Sequence, residues 1–245
     1  MEFPAGVIQK LRAAKRIVVL TGAGISAESG VPTFRDAQTG LWANYKPEEL
    51  ATPQAFLKKP AMVWDWYMMR REMIKKVKPN AGHFALAEIE KKVPQFLLVT
   101  QNIDDLHRLA GNRNVIEIHG NIQRTKCFDE DLVVESWDYE SGVPPKCPRC
   151  GGLLRPDVVW FGEMLPPGAF ERSAEAARNC DAFFSIGTSS LVYPAASVPY
   201  EAVRRKILSI EINPEETPLT EHVDHHFHGT SGIILPELVA AVWPT

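Results

Sequence analysis

Short, mostly apolar runs alternate with longer amphipathic stretches along most of this chain. The runs are Ile17–Leu20 in "RIVVLTGAG", "FLLVT" at 96–100, "VIEIH" at 115–119, "AFFSIG" at 182–187 and "ILSIEIN" at 207–213. They are short and apolar at consecutive positions, as strands of a buried parallel sheet must be. Between them, 80–91, 168–178, 195–205 and 232–242 carry helical patterns, and "VIQKLRAAKR" reads as a helix leading into the first run. Strand–helix alternation predicts an α/β fold with a doubly wound parallel sheet. Two segments break the alternation. Residues 36–80 hold Trp- and Pro-punctuated turns, and 120–157 hold clustered cysteines and few apolar runs. The pattern therefore predicts a large domain from 1–35, 81–119 and 158–245, with a smaller domain inserted as 36–80 and 120–157. A site in the cleft between them follows from where ligands bind α/β folds.

The stretch "VWDWYMMRRE" at 63–72 poses a question of its own. At about 100° per residue, Val63, Trp66, Tyr67, Ile74 and Val77 fall on one helix face. Arg70 falls in the middle of that face, and Arg71 points away from it. Burying an unpaired cation is expensive. Either Arg70 has an internal acidic partner, with Glu49, Asp65 and Glu72 nearby in sequence, or it receives an anion from outside.

Chemistry gathers at the ends of the strands. "GAGISAESG" follows the first strand, and Gly22, Gly24 and Ala27 fit G-x-G-x-x-A. Such a loop turns tightly, lets a pyrophosphate approach the backbone, and offers helix N–H groups. A Rossmann oxidoreductase would also show a second strand ending in Asp or Glu about 20 residues on. Here that region reads "GLWANYKPEEL", so the nucleotide is used for something other than hydride transfer. "TQNIDDLH" places Gln101, Asn102 and Asp104 at the end of another strand, and "IEIHG" places His119 at the end of the next. Convergent polar groups at strand C-termini form an α/β active site, with His119 a candidate general base near neutral pH. His83 and His107 read as structural.

Cys147 and Cys150 form a C-x-x-C knuckle before Gly151–Gly152, with Cys127 upstream and Glu130 where a fourth cysteine would stand. Three thiolates completed by Asp129, Glu130 or water can bind zinc, and an empty or weak site is the alternative. Any zinc here would be structural. Cys180 is expected in the core. The dense imidazoles of "HVDHHFH" (His222, His225, His226, His228) read as a structural or adventitious metal patch. The 245 residues are 45% hydrophobic and 23% charged, with net charge −3. That balance advertises no nucleic-acid surface, and the finger around 128–140 is acidic. No apolar run nears the ~18 residues of a membrane helix, and the start lacks a signal-peptide layout, so a cytoplasmic protein is expected.

Taken together, "GAGISAESGVPTFR", "TQNIDDLH", "IHGN", "CPRCGGLLRPDVVWFGE", "GTSSLVYPAA" and "EINPEETPLT" resemble the sirtuin family of NAD-dependent protein lysine deacylases, over about residues 6 to 240. The resemblance implies a Rossmann domain plus a small domain with helical and zinc modules, and NAD bound in the cleft. It assigns the pyrophosphate to Gly22, Ala23 and Gly24. Glu28, Thr33, Phe34 and Arg35 fall in the same cofactor motif, with Phe34 and Arg35 beside the reactive ribose. Gln101 and Asn102 would order that ribose and a water. Ile103 and Asp104 would receive the nicotinamide amide, and His119 would be the general base. Gly187, Thr188 and Ser189 would bind phosphate and ribose, and Asn213 the adenosine ribose. The segment "VVWFGE" would supply an edge strand for the substrate peptide, so Val159, Trp160, Phe161, Gly162 and Glu163 border the acyl-lysine. The implied reaction uses NAD as an electrophile and yields nicotinamide, free lysine and O-acyl-ADP-ribose.

Tyr67 and Arg70 depart from most of that family. Y-x-x-R on this helix resembles class III sirtuins, which remove succinyl, malonyl and glutaryl groups. Ala51 would leave room for the larger acyl chain. On this reading Arg70 is a bidentate carboxylate clamp and Tyr67 a hydroxyl donor beside it. A sirtuin-like ADP-ribosyltransferase and a non-enzymatic NAD sensor are the competing functions; Asn102 and His119 argue against the first.

Overall fold

The computed structural model describes residues 2–32 and 50–244. Within them the predicted alternation becomes helix α1 (Ala5–Ala13), strand β1 (Arg16–Thr21), the single turn α2 (Gly24–Ala27), and helices α3 (Pro53–Lys58), α4 (Pro60–Ile74) and α5 (Ala81–Lys92). Next come β2 (Gln95–Thr100), α6 (Leu106–Ala110), β3 (Val115–Glu117), β4 (Gly120–Cys127), β5 (Leu154–Val158), α7 (Ala169–Asn179) and β6 (Ala182–Ile186). The chain closes with α8 (Val198–Arg204), β7 (Leu208–Asn213), β8 (His225–His228) and α9 (Ser231–Val242).

Six strands form one parallel sheet in the order β3-β2-β1-β6-β7-β8. This is the doubly wound arrangement, and the strand order reverses between β1 and β6. Alternation along β1 shows why the strands read as continuous apolar runs. Ile17 and Val19 pack with α1, α5 and α9 on one side, while Val18 and Leu20 pack with α7 and α8 on the other. Both faces are covered, so both sets of side chains must be apolar.

Strands β4 and β5 form a separate antiparallel pair, from Gly120 opposite Val158 to Cys127 opposite Leu154. With α3 and α4 they enclose a second core of Ala51, Phe56, Val63, Trp66, Tyr67, Ile122, Val158 and Trp160. Both segments that broke the sequence alternation contribute to this core, together with Val158 and Trp160. Pro60 starts α4, where its fixed φ suits the first helical position and its missing N–H costs nothing. Asn80 caps α5 through the N–H groups of Gly82 and His83.

One expectation needs correction. The edge strand expected over "VVWFGE" ends at Val158, and the chain turns over Phe161–Glu163 with Gly162 at φ +87°. Its amides are already taken within the chain, Val159 N–H by His119 O and Phe161 N–H by Ala51 O. Within the imidazole-rich segment, His225, His226 and His228 lie on the edge strand β8, and His222 ends the short turn before it. Cys180 is buried in the core as expected.

Candidate active site

The C-terminal ends of β1, β2, β6 and β7 lie along one sheet edge, and their loops interlock. Gly24 N–H donates to Gly187 O at 2.8 Å, and Gly22 N–H to Ile186 O at 3.0 Å. A Cβ on Gly22 would lie 2.8 Å from Gly187 O, and one on Gly24 2.7 Å from it. Gly187 has φ +58°, and a Cβ there would sit 2.5 Å from Ile25 N. The glycines are therefore demanded first by loop-on-loop packing. Of the amides of residues 22–27, Ala23 N–H is the one left without a backbone acceptor among the described residues. A free amide at the switch point of a doubly wound sheet is a fitting anchor for a pyrophosphate.

Polar side chains tie the loops together. Gln101 donates to Thr188 Oγ1 at 2.9 Å, and Asn213 donates to Thr188 O at 2.8 Å. Asn102 is buried and donates to Gly22 O at 3.0 Å and Ser26 Oγ at 3.1 Å. Ser26 in turn donates to Asp104 Oδ2 at 2.6 Å. Burial pushes the Asp104 carboxyl up, against the pull of the Ser26 hydroxyl. Ser26 was not assigned from the sequence. A small residue on the first turn after a glycine loop gives no periodic signal, and only its contacts reveal it. His83 Nε2 lies 3.4 Å from Ser26 Oγ, and His107 Nε2 lies 2.9 Å from Thr21 Oγ1. Both rings are buried, and burial holds His83 down at about 4 and His107 well below the ordinary value. They are neutral structural imidazoles, as expected, but they brace the nucleotide loops.

Glu28 turns away from the cleft and accepts Gly232 N–H at 2.7 Å at the start of α9. Its place here is a helix cap. Thr33, Phe34 and Arg35 lie outside the described residues. Ser189 is half-buried in the loop after Thr188, and Ile103 is half-buried against the second core, its carbonyl accepting Ile122 N–H at 2.9 Å.

His119 sits at the junction of the sheet and the β4–β5 pair. Its Nδ1 lies 3.1 Å from Gln101 O. A carbonyl can only accept, so the neutral ring carries its proton on Nδ1 and leaves the Nε2 lone pair free. Burial lowers the imidazole pKa, with the Gln101 carbonyl opposing it. The ring is thus a neutral base at neutral pH.

Below the cleft lies the second core. Tyr67, Arg70 and Ala51 are buried there with Trp160, as the helix phase requires. Trp160 Nε1–H donates to Tyr67 Oη at 2.9 Å. The Arg70 guanidinium carbon lies 4.9 Å from the Trp66 ring centroid. Among the described residues Arg70 has no ion pair, and its buried Nε has no hydrogen-bond partner. Glu72 is bonded to Lys75 instead; Glu49 lies outside the described residues. Burial lowers the Arg70 pKa and raises that of Tyr67.

The Sir2 family model matches residues 22–194. Those residues carry the loop that follows β1 and the ends of β2 and β6, but not the end of β7. The chain belongs to the Sir2 family. Its sequence is 52% identical over 214 residues to a curated NAD-dependent protein deacylase of Aquifex aeolicus, covering 86% of this chain and 88% of that one. It is 49% identical to a curated deacylase of Pyrococcus abyssi, covering 96% of each. A solved Sir2 homologue–NAD complex superposes with a TM-score of 0.91 at 46% identity, covering 98% of this chain and 94% of that one. A more distant Sir2 structure with a deacetylated p53 peptide and acetyl ADP-ribose gives 0.81 at 31% identity, covering 96% of each.

A zinc module is part of the Sir2 pattern, and the donor set here fits one. One ligand atom each from Cys127, Glu130, Cys147 and Cys150 lies within 4.8 Å of all the others. Ligands of tetrahedral zinc are separated by about 3.8 Å, given Zn–S bonds near 2.3 Å. The backbone amides of Cys150 and Arg149 hold the Cys147 thiol pKa down, while Cys150, despite the Gly152 amide, is pushed up to about 11 by the Cys127 and Cys147 sulfurs beside it. Glu130, left open by the sequence together with Asp129 and water, is the carboxylate in the cluster. It also pairs with Arg149 at 2.6 Å. Beneath the cluster, Trp64, Val134 and Leu154 pack with Cys127 and Cys147, so this module is tied to α4.

Proposed function

We propose that this chain is an NAD-dependent protein-lysine deacylase whose acyl pocket favours acidic acyl groups such as succinyl and malonyl. The deacylase chemistry rests on family membership and on the curated relatives. The acidic preference rests on one observation above all, a buried arginine with no acidic partner among the described residues. A cation in that state is stabilised most by an anion that supplies both charge and paired acceptors. The distal carboxylate of a succinyl-lysine does so, and an acetyl group does not.

NAD supplies the electrophilic anomeric carbon from which nicotinamide departs and to which the acyl oxygen is transferred. The chain's own residues do the rest. Ala23 N–H and the interlocked 187–189 loop bind the phosphates. Gln101, Thr188 and Asn213 orient the riboses. Asn102, fixed by Gly22 O and Ser26, orders the ribose and a water, and Ile103 with Asp104 receives the nicotinamide amide. His119 Nε2 takes the proton from a ribose hydroxyl as that oxygen attacks the acyl carbon, while Gln101 O steadies the Nδ1–H as the ring becomes cationic. Acylated protein is the substrate. Its peptide would lie against the turn at Val159–Glu163, with the acyl chain passing Val159 and Phe161 towards Ala51, Tyr67 and Arg70. The proposed division places the sheet in residues 1–35, 81–119 and 158–245, the rest forming the small domain. No described helix is long and apolar enough to cross a membrane. A cytoplasmic setting suits a consumer of NAD with a thiolate metal site.

The deciding experiment is product analysis with NAD and one peptide carrying succinyl-lysine or acetyl-lysine. Deacylation expects one nicotinamide per free lysine and an O-acyl-ADP-ribose, faster with succinyl. Nicotinamide release with the acyl-lysine left intact would instead mark an ADP-ribosyltransferase or NAD glycohydrolase. No release at all would mark a sensor.

A further inference from the structure

The acyl pocket is wired to the turn that follows β5. Arg155 is buried on β5, and its guanidinium makes a two-pronged ion pair with Glu163, Nη2 to Oε2 at 3.0 Å and Nη1 to Oε1. Nη2 also donates to Val158 O at 2.7 Å. The same Glu163 carboxylate accepts Trp160 N–H at 2.7 Å. The guanidinium lies over the indole, its carbon 3.2 Å from the ring centroid. Trp160 is therefore clamped at its backbone by Glu163 and on its face by Arg155, and it is 1% exposed.

The far end of that indole meets the acyl pocket. Indole Nε1–H is a donor only, so at 2.9 Å the Tyr67 oxygen must be the acceptor. A phenol has one hydrogen. With Trp160 on a lone pair, that hydrogen is directed elsewhere, and no acceptor for it is found among the described residues. One helical turn on is Arg70, which also has no hydrogen-bond or ion-pair partner among the described residues. Two adjacent donors without acceptors define where a carboxylate would sit.

We propose that Trp160, held by Arg155 and Glu163, is a positioning residue for acyl selectivity: its indole N–H commits the Tyr67 hydroxyl to donating into the pocket beside Arg70. This deepens the acidic-acyl reading and rests on it. Pre-set donors lose less freedom on binding, so the gain goes to the group that uses both. An aromatic ring of similar shape without the N–H would let the hydroxyl rotate and accept as well as donate.

The test is a double-mutant cycle of Trp160→Phe and Tyr67→Phe, read as the ratio of kcat/KM for succinyl-lysine over acetyl-lysine peptide. Loss of one neutral hydrogen bond predicts that Trp160→Phe lowers the ratio roughly 3- to 10-fold, mainly through the succinyl KM. In the Tyr67→Phe background the same change should lower it by less than about 2-fold, since there is no hydroxyl left to direct. Glu163→Gln, which loosens the indole without removing it, should move the ratio in the same direction. If Trp160→Phe folds poorly, the Glu163→Gln result, with and without Tyr67→Phe, decides. A proportional fall with both peptides, or equal effects in both backgrounds, would overturn the relay and leave Trp160 a packing residue. Arg70→Met separates the two proposals. If it abolishes a real succinyl preference while Trp160→Phe leaves that preference intact, only the relay fails. If the wild-type chain has no such preference, both fail.

Discussion

Arg70 and Arg71 are neighbours on one helix, and both are buried, yet they face opposite regions of the molecule. Arg71 points off the apolar face, as the helix period requires, and meets β4. There its guanidinium donates to Ile122 O at 2.6 Å, Arg124 O at 2.8 Å and Thr125 Oγ1 at 3.1 Å. Arg70 lies on the apolar face and, among the described residues, meets the face of Trp66 with its Nε unpartnered. The first arginine pins α4 to the β4–β5 pair. The second has no acidic partner among the described residues. The contrast teaches how to tell structural from functional charge: where burial is equal, what separates them is whether partners are already present.

The same division runs through the imidazoles. His83 and His107 are sealed and neutral, bracing the nucleotide loops. His119 has one nitrogen fixed by Gln101 O and the other free.

The largest effect is expected on the closed side. Arg71→Met removes the donor from the buried Ile122 carbonyl and the half-buried Arg124 carbonyl, and should lower unfolding free energy by about 3–5 kcal/mol in denaturant titration. Arg70→Met should stay within about 1 kcal/mol of wild type, or be more stable, because it removes an unmatched buried cation. Equal losses would erase the contrast.

Next in size is metal removal. Zinc content near one per chain is expected, and chelation should lower Tm by roughly 5 °C or more, since the module's core packs on α4. Glu130→Gln should weaken zinc retention against a competing chelator. Unchanged retention would show that Glu130 is not a ligand. Gly187→Ala comes third. Its Cβ would meet the Ile25 amide at 2.5 Å from a φ of +58°, so a loss of about 2 kcal/mol or more is expected, with weaker NAD binding.

The smallest effects are those of pH. An imidazole whose folded pKa lies below its unfolded value contributes stability that is complete above the unfolded value and is lost as pH falls. Stability should therefore decline from about pH 6.5 downwards, by up to about 1.4 kcal/mol per pH unit for each of His83 and His107. The His83 share levels off below its folded value of about 4. The acid limb of kcat/KM, by contrast, reports His119, and should fall below pH 6.5 because burial lowers that pKa. A limb above 6.5 would remove His119 as the neutral base.

Much of this was legible in the sequence. Strands buried on both faces write themselves as apolar runs, so the five strands of the sheet from β1 to β7 could be placed from Ile17–Leu20 and its counterparts. The helix period placed Tyr67 and Arg70 on one face. Motif positions brought Gln101 and Asn102 to the end of β2, and His119 to the turn between β3 and β4 rather than to the end of a strand. Contacts made across long separations were not legible. Nothing periodic announces Ser26 on Asp104, Glu28 capping α9, or Arg71 on β4. The turn at Phe161–Glu163 departs from the edge strand that the resemblance implies there. Glu163, reaching back to Arg155 and Trp160 N–H, is what folds it over.

The most direct test compares kcat/KM for succinyl-lysine and acetyl-lysine on one peptide, in wild type and Arg70→Met. The account predicts a wild-type preference for succinyl that falls by roughly 30-fold or more in the variant, the equivalent of at least 2 kcal/mol for a buried charge pair, with a much smaller change for acetyl. A wild type that prefers acetyl, or a variant that loses both activities in parallel with its stability, would contradict it and make Arg70 a second structural arginine.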